Sequence, residues 1–193
     1  MTPLPLADRR ILVTRGASQA PKLSDGLRAL GALPVEVPVI EICSPESYEP
    51  LDTALRNLGE YDWLIFTSSN SVHVFGERCA SLGIFAPPTG LQMATIGAAT
   101  AQAARDAGLA VSLVPDAYVA EGLVTALQNQ IAGKRVLLAR AAVARDVIPD
   151  ALRSAGASVD VVDAYQNVMP ETAPHQLRHA YARGLEDVYK RQG

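Results

Sequence analysis

Short apolar runs alternate with amphipathic segments along most of the chain. Runs of β-branched and other apolar residues occupy 11–13, 35–42, 63–66, 93–96, 111–114, 136–139 and 159–162. Between them, the segments 21–30, 69–82, 100–107 and 146–155 carry apolar residues at the spacing of one helix face. Glycine ends several of these segments, at Gly31, Gly83, Gly108 and Gly156, where a left-handed helix cap is wanted. The pattern predicts an α/β fold with parallel sheets covered on both faces.

One stretch of this pattern occurs twice. ILVTRGASQAPKLSDGLRALGA, from Ile11, aligns without gaps with VLLARAAVARDVIPDALRSAGA, from Val136, an offset of 125 residues. Generic βα units converge on similar apolar patterns, which is the alternative explanation. Duplication of one βα unit is favoured because polar residues repeat as well. They include the pairs Arg15 and Arg140, Asp25 and Asp150, and Arg28 and Arg153.

The end of the chain breaks the repeat. At the same offset, the counterpart of DWLIFTSSN, from Asp62, begins near Asp187, where the sequence reads DVYKRQG. A buried parallel strand is apolar, and this heptapeptide is polar and basic. We therefore expect the tail from about Arg183 to be foreign to the protein, the second copy to be incomplete and the natural protein to be longer.

Hydroxyl, amide or glycine residues follow three of the predicted strands, and a loop of small apolar residues between two arginines follows a fourth. The carboxyl ends of parallel strands are the ligand-binding edge of such a sheet, and the N-terminus of a following helix attracts carboxylate or phosphate. Each of the serines, threonines and asparagines has the alternative role of a plain helix cap. The four loops contain Thr14, Arg15 and Gly16; Thr67, Ser68, Ser69, Asn70 and Ser71; Gly97, Ala98, Ala99 and Thr100; and the residues from Arg140 to Arg145.

Composition removes several classes of function. The formal net charge is only -3 and no run of basic residues occurs, which argues against nucleic-acid and membrane-surface binding. No signal peptide or membrane span is recognisable, so we expect a cytoplasmic protein with Cys43 and Cys79 as free thiols. The sequence lacks dinucleotide, P-loop and hydrolase motifs, and His175 and His179 have no third metal ligand beside them. We expect no cofactor and no metal.

The order and spacing of six segments resemble the uroporphyrinogen-III synthase family. The segments are ILVTR, PVIEI, DWLIFTSSNSVHVF, TIGAATAQAARDAG, VLLARAAVARDVIPDAL and VDAYQN, and the resemblance covers about residues 10–170. It implies two similar flavodoxin-like α/β lobes joined by two extended crossing strands. On that plan the first, incomplete lobe comprises 1–37 and 170–193, the second comprises 44–162, and 38–43 with 163–169 are the interdomain strands.

The resemblance also implies a reaction. Family members close the linear tetrapyrrole hydroxymethylbilane, with inversion of ring D and loss of water, to uroporphyrinogen III on the route to haem. Tyr165 matches the tyrosine that the family pattern places facing the cleft, where a phenol can protonate the departing hydroxyl. Packing in the interdomain hinge is its alternative role. Arg15, Arg140 and Arg145 are candidates for substrate carboxylates, together with Thr14, Thr67, Ser68, Ser69, Asn70, Gly97 and Thr100.

The same resemblance sets the expected partners and the main rival functions. The substrate is a small-molecule tetrapyrrole, with possible transient handover from hydroxymethylbilane synthase and with no nucleic acid or membrane partner. We expect the 193-residue chain alone to be inactive or nearly so. A two-lobed binding module for a small anion shares the anion loops, and a receiver-like regulatory domain shares the strand pattern. Turnover of hydroxymethylbilane separates the enzyme from both.

Overall fold

The computed structural model describes residues 4–184 and 187–189, which form eight strands and seven α-helices. The strands are β1 Arg10–Val13, β2 Leu33–Glu36, β3 Glu41–Cys43, β4 Trp63–Phe66, β5 Gln92–Thr95, β6 Arg135–Ala141, β7 Ser158–Val168 and β8 Asp187–Tyr189. The helices are α1 Ala20–Ala29, α2 Glu49–Arg56, α3 Ser69–Ser81, α4 Ala98–Asp106, α5 Ala120–Leu127, α6 Val147–Ser154 and α7 Ala173–Ala182. The predicted α/β class is confirmed.

The chain divides into two compact units. One comprises Met1–Cys43 with Asn167–Gly193, and the other is the continuous segment Ser44–Gln166. The strands form two sheets with the orders β2-β1-β8 and β3-β7-β6-β4-β5. β1 pairs in parallel with β2 and β8, and β6 pairs in parallel with β4 and β7. The assignment of 38–43 and 163–169 as interdomain strands stays a prediction.

The sheet of the larger unit is buried on both faces, as a parallel sheet requires. Leu64, Phe66 and Leu137 face one cluster of buried side chains, to which α2, α3 and α4 contribute. Their neighbours along the same strands, Ile65 and Leu138, face a second cluster, built with α5 and α6. Because side chains alternate between faces, an uninterrupted apolar strand is what this arrangement needs.

The two units contain the same βα unit, and the agreement extends to individual hydrogen bonds. Arg10 lies opposite Leu33 in the first sheet, and Arg135 lies opposite Ser158 in the second, so both partners are shifted by the predicted 125 residues. The next three pairs of each ladder follow the same shift. The βα unit that the sequence repeats therefore has the same strand register in both places.

The helix ends repeat too. Gly31 N–H donates to the Arg28 carbonyl and Gly156 N–H to the Arg153 carbonyl, both at 2.9 Å. The φ angles of the two glycines are 91° and 93°, values that suit a residue without a Cβ. The ion pairs repeat as Asp25 with Arg28 and Asp150 with Arg153.

The expectation that the polar tail cannot supply a strand was wrong for part of it. The backbone of β8 lies parallel to β1, with Leu12 opposite Val188, just as β4 lies parallel to β6. Backbone hydrogen bonds to β1 do not require apolar side chains, which is why composition misled the prediction. The remaining tail residues, 185–186 and 190–193, lie outside the described part of the chain.

Other boundaries differ for simple reasons. The predicted strand 35–42 is divided into β2 and β3 around Pro38, which has no N–H to donate to a ladder. The predicted strand 111–114 is reduced to one bridge between Ala94 and Leu113, next to Pro115. α2 and α5 are additional to the helices that the sequence pattern indicated.

A polar cluster fixes the amino-terminal edge of the larger sheet. The Tyr61 phenol donates to Asp160 at 2.9 Å, and Arg135 donates to Asp160 at 3.2 Å and to Glu60. The Arg135 guanidinium lies 4.7 Å from the centroid of the Tyr61 ring. Burial, followed by the hydrogen bond to Asp160, raises the pKa of Tyr61 to about 12. The neutral phenol is therefore part of the folded state.

This elevated pKa predicts a loss of stability at high pH. The unfolded Tyr61 phenol ionises near its ordinary pKa of 10, so its contribution is complete below pH 10 and is lost as the pH rises toward 12. We expect the free energy of unfolding to fall by about 1–3 kcal/mol more in the wild-type protein than in Tyr61→Phe over this interval. Denaturant titrations at several pH values measure the difference. Equal pH slopes for the two proteins would show that Tyr61 is not linked to folding.

Candidate functional site

The carboxyl ends of four parallel strands meet along one edge of the larger sheet. Phe66, the last residue of β4, lies opposite Thr95 of β5 and Ala139 of β6. Ala141, at the end of β6, lies opposite Tyr165 of β7 after an irregularity in the ladder. The register therefore brings the loops after β4, β5 and β6 to the edge where β7 carries Tyr165.

The loop after β4 is closed by a serine cap. Ser68 has extended backbone angles and precedes α3, and its Oγ accepts the N–H of Ser71 at 3.1 Å. Ser69 and Asn70 are the first two residues of α3, so the capping role considered for them belongs to Ser68. Thr67, Ser68, Ser69 and Asn70 are all half-buried, which leaves part of each at the surface.

Tyr165 combines packing with a polar contact to this loop. Its side chain is 5% exposed and packs with Ala141, Ala164 and Val74. Its phenol oxygen lies 3.1 Å from Ser68 Oγ. The hydrogen bond joins β7 to the start of α3. Sequence reasoning named both residues as candidates but did not predict that they touch.

The loop after β5 leads into α4 through backbone alone. Gly97 is the residue before α4 and has no side chain to cap it, so the first N–H groups of the helix are left to water or a ligand. Thr100, in the first turn, is 6% exposed. A Cβ on Gly97 would approach the Tyr118 ring to 3.3 Å, so glycine permits this exposed ring to lie over the helix start. Tyr118 was not among the predicted site residues.

The loop after β6 is held by an arginine. Arg140 donates to Asp146 Oδ1 at 2.6 Å and to the Arg145 carbonyl at 3.1 Å. Its side chain is 11% exposed, and its buried Nε has no partner in the described part of the protein. α6 begins only at Val147, so the predicted loop reaches the helix through Asp146. Arg145 itself is exposed.

Thr14 and Arg15 lie in the smaller unit. Thr14 is half-buried and Arg15 is exposed. α1 starts at Ala20, and the Gly16 carbonyl accepts N–H groups from Gln19 and Ala20, so a turn separates these residues from the helix. At the 125-residue offset, the position of Asp146 is held by Pro21. Arg15 consequently has no acid in the place where Arg140 has one.

These groups make the edge of the larger sheet suitable for anions. The N-termini of α3 and α4 carry partial positive charge, and Arg145 adds an exposed cation beside the loop after β6. In residues 4–184 and 187–189, no three His, Cys, Asp or Glu side chains are grouped as metal ligands. No helix in the same ranges has the length and apolar content needed to cross a membrane.

Removing Asp146, the acid paired with the mostly buried Arg140, should lower the free energy of unfolding more than removing an acid whose arginine partner is half-exposed. We expect Asp146→Ala to lower the free energy of unfolding by about 1–2 kcal/mol, since a mostly buried guanidinium loses a charged hydrogen-bond partner. Asp150→Ala is the matched control, because Asp150 also lies at the start of α6 and pairs with the half-exposed Arg153. Its expected cost is about 0.5 kcal/mol or less. Denaturant unfolding compares them, and equal costs would show that Arg140 does not depend on Asp146.

Comparison with known proteins gives the relationships of the chain. A family model described as HEM4, uroporphyrinogen-III synthase HemD, matches residues 21–189. Uroporphyrinogen-III synthase of Synechococcus elongatus is 35% identical over 175 residues, covering 90% of this chain and 66% of that protein. The Escherichia coli enzyme of the same name is 33% identical over 159 residues, covering 81% of this chain and 64% of that protein. The chain thus spans just under two thirds of these relatives' length.

Solved structures agree on the fold. Uroporphyrinogen III synthase of Thermus thermophilus, in a mutant crystal structure, superposes with a TM-score of 0.69 at 19% identity and covers 93% of this chain and 71% of that one. The structure named uroporphyrinogen-III synthetase from Helicobacter pylori gives a TM-score of 0.53 at 14% identity, over 90% of this chain and 68% of that one. With the family match over most of its length and the relatives above 30% identity, the chain belongs to the uroporphyrinogen-III synthase family.

Proposed function

We propose that the protein closes hydroxymethylbilane to uroporphyrinogen III, with inversion of ring D and loss of water. The observation that carries the proposal is the contact of 3.1 Å between the Tyr165 phenol and Ser68 at the carboxyl edge of the larger sheet. A phenol at this position can serve as a proton donor, and the N-terminus of α3 next to it suits a carboxylate of such a substrate. Family membership supplies the reaction, and the local chemistry fits it.

The substrate carries acetate and propionate side chains, whose carboxylates need hydrogen bonds or positive charge wherever water is excluded. The N–H groups of the first turn of α4, which no side chain caps, provide neutral donors, and Thr100 in the same turn is a further candidate donor. Arg145 and Arg15 provide exposed cations, whereas Arg140 is engaged with Asp146. We assign Arg140 to shaping the loop from which Arg145 projects, with direct carboxylate binding left to the exposed arginines.

The chemistry requires little from the protein beyond positioning. Loss of the terminal hydroxyl leaves an electrophilic azafulvene, which the far pyrrole attacks through its substituted carbon to give a spiro intermediate. That intermediate fragments and recloses with the ring inverted. The substrate provides the nucleophile, so the protein has to fold the linear chain, donate a proton to the leaving hydroxyl and stabilise iminium-like charge. The Tyr165 phenol is the proton donor in this proposal.

The proposal includes a cytoplasmic setting and a transient handover of the substrate from hydroxymethylbilane synthase. It also keeps the two-lobed cleft, with 38–43 and 163–169 as connecting strands, as the frame in which the substrate is held. The exposed Arg15 of the smaller unit remains a candidate carboxylate ligand.

Turnover of hydroxymethylbilane tests the proposal directly. The protein expressed from its complete reading frame should form uroporphyrinogen III in excess of isomer I, the product of spontaneous closure without inversion. We expect the 193-residue chain alone to yield isomer I only. Tight binding of hydroxymethylbilane without isomer III would instead indicate an anion-binding module. Isomer III from the 193-residue chain would contradict the requirement for more of the first lobe.

Tyr165→Phe should slow the reaction without weakening product binding. We expect kcat to fall about 10-fold or more, because the lost proton donor acts chiefly in the transition state, while product affinity stays nearly unchanged. Tyr61→Phe is the matched control, since Tyr61 is another buried tyrosine with a hydrogen-bonded phenol, at the opposite edge of the sheet. Steady-state formation of isomer III and product titration are the two measurements. A wild-type kcat in Tyr165→Phe would leave Tyr165 with its packing role alone.

A further inference from the structure

Three hydroxyl groups form a continuous chain at the start of α3. Ser71 is fully buried, and its Oγ donates to the Ser68 carbonyl at 2.7 Å. Ser68 Oγ lies 3.2 Å from Ser71 Oγ and 3.1 Å from the Tyr165 phenol. It also accepts the Ser71 N–H at 3.1 Å. Ser68 thus stands between a buried serine and the phenol assigned above as the proton donor.

In this series of hydroxyl groups, only the direction of the Ser68 proton is left open. A serine hydroxyl has one proton to donate and two lone pairs to accept with. The Ser71 proton is used on the Ser68 carbonyl, so Ser71 Oγ can only accept. One lone pair of Ser68 Oγ is used by the Ser71 N–H. What remains free is the Ser68 proton, which points either to Ser71 Oγ or to the phenol.

The two positions have opposite effects on Tyr165. When Ser68 donates to Ser71, the phenol must donate its own proton to Ser68, and Ser68 Oγ has then used its full capacity. When Ser68 donates to the phenol, the Tyr165 proton is released to point elsewhere, and the phenol oxygen is stabilised as an acceptor. In the first state three protein groups saturate Ser68 Oγ, and no capacity is left for a substrate carboxylate.

We infer that Ser68 is a positioning residue for Tyr165. The hydroxyl proton of Ser68 moves between Ser71 Oγ and the phenol, and so sets the direction in which Tyr165 donates its own proton. Its catalytic consequence rests on the proposed function. In that reaction the Tyr165 proton passes to the leaving hydroxyl, the carbon–oxygen bond breaks, and its electron pair departs with water. The Ser68 proton then stabilises the phenolate, which regains the proton that the reclosed ring loses as it becomes aromatic.

The hydrogen-bond part of the inference is testable without substrate. In Raman spectra, tyrosine gives a Fermi doublet of two neighbouring bands. The intensity of the higher-frequency band divided by that of the lower-frequency band rises when the phenol accepts a hydrogen bond and falls when it donates one. Subtracting the spectrum of the corresponding Tyr165→Phe protein isolates the Tyr165 signal. Ser71→Ala removes the competing acceptor and should raise the ratio. Ser68→Asp keeps a side chain that caps helices but cannot donate, and should lower it.

The opposite directions distinguish this role from a structural one. Ser68→Thr retains the hydroxyl and should therefore keep the wild-type intensity ratio. Ser81→Ala is the matched control, because Ser81 lies on the same helix and its hydroxyl donates to the Arg78 carbonyl at 2.8 Å. It should leave the ratio unchanged. A ratio that moves the same way in Ser71→Ala and Ser68→Asp, or moves in neither, would overturn the inference.

A double-mutant cycle in the active protein tests the catalytic part. We expect Ser68→Ala to lower kcat as far as Tyr165→Phe does, with product affinity nearly unchanged. The double variant should be no slower than either single one, within about 3-fold, since both changes remove the same function. Multiplied losses, or weaker product binding in Ser68→Ala, would return Ser68 to direct substrate contact. Failure of the wild-type protein to form isomer III would reject the proposed function, while the Raman result would still decide the assignment of Ser68.

Discussion

Parallel pairing of β6 with strands on both sides is the constraint on which the rest of the larger unit depends. It requires apolar residues on both faces of the central strands, which Leu137 and Leu138 supply to opposite clusters. It also places the loop after each strand at the same edge of the sheet, because parallel strands have their carboxyl ends on one side. The contact between Tyr165 and Ser68 exists only because that register places the end of β7 beside the loops of its neighbours. The candidate site is therefore a consequence of how the sheet is hydrogen-bonded.

The fold was predicted correctly from the sequence where local chemistry and hydrophobic periodicity agreed. Gly31 and Gly156 marked helix ends because a positive φ strongly favours glycine, and the gapless repeat predicted a register that the strands reproduce. Prediction failed where backbone hydrogen bonding outweighed side-chain character, as in β8. It also failed at Pro38, where one missing N–H divides an apolar run into two strands.

The candidate site was only partly readable in the same way. Ser68, Thr100, Arg140 and Tyr165 drew attention because of their residue types and their places after strands. Ser71 was included only as one polar residue of its loop, and Asp146 was not included; the role of each is visible only in its three-dimensional contacts. Arg140 shows the limit most clearly: its sequence position fits a ligand-binding cation, but a neighbouring carboxylate already occupies it. The local sequence does not show whether a charged side chain is already paired with another residue of the same protein.

The identical register of the two βα units has a consequence for how the chain folds. The two copies share one strand register, so the backbone of a strand from one copy fits the ladder of the other. The copies differ at a position that bears on this: Pro34 of β2 stands opposite Ile11, where the matching position of β7 is Val159, opposite Val136. A proline cannot donate to a ladder and is tolerated at a sheet edge, where β2 lies. Pro34 therefore makes β2 a poor substitute for β7, which lies inside its sheet between β3 and β6, and this difference disfavours misfolding by strand exchange.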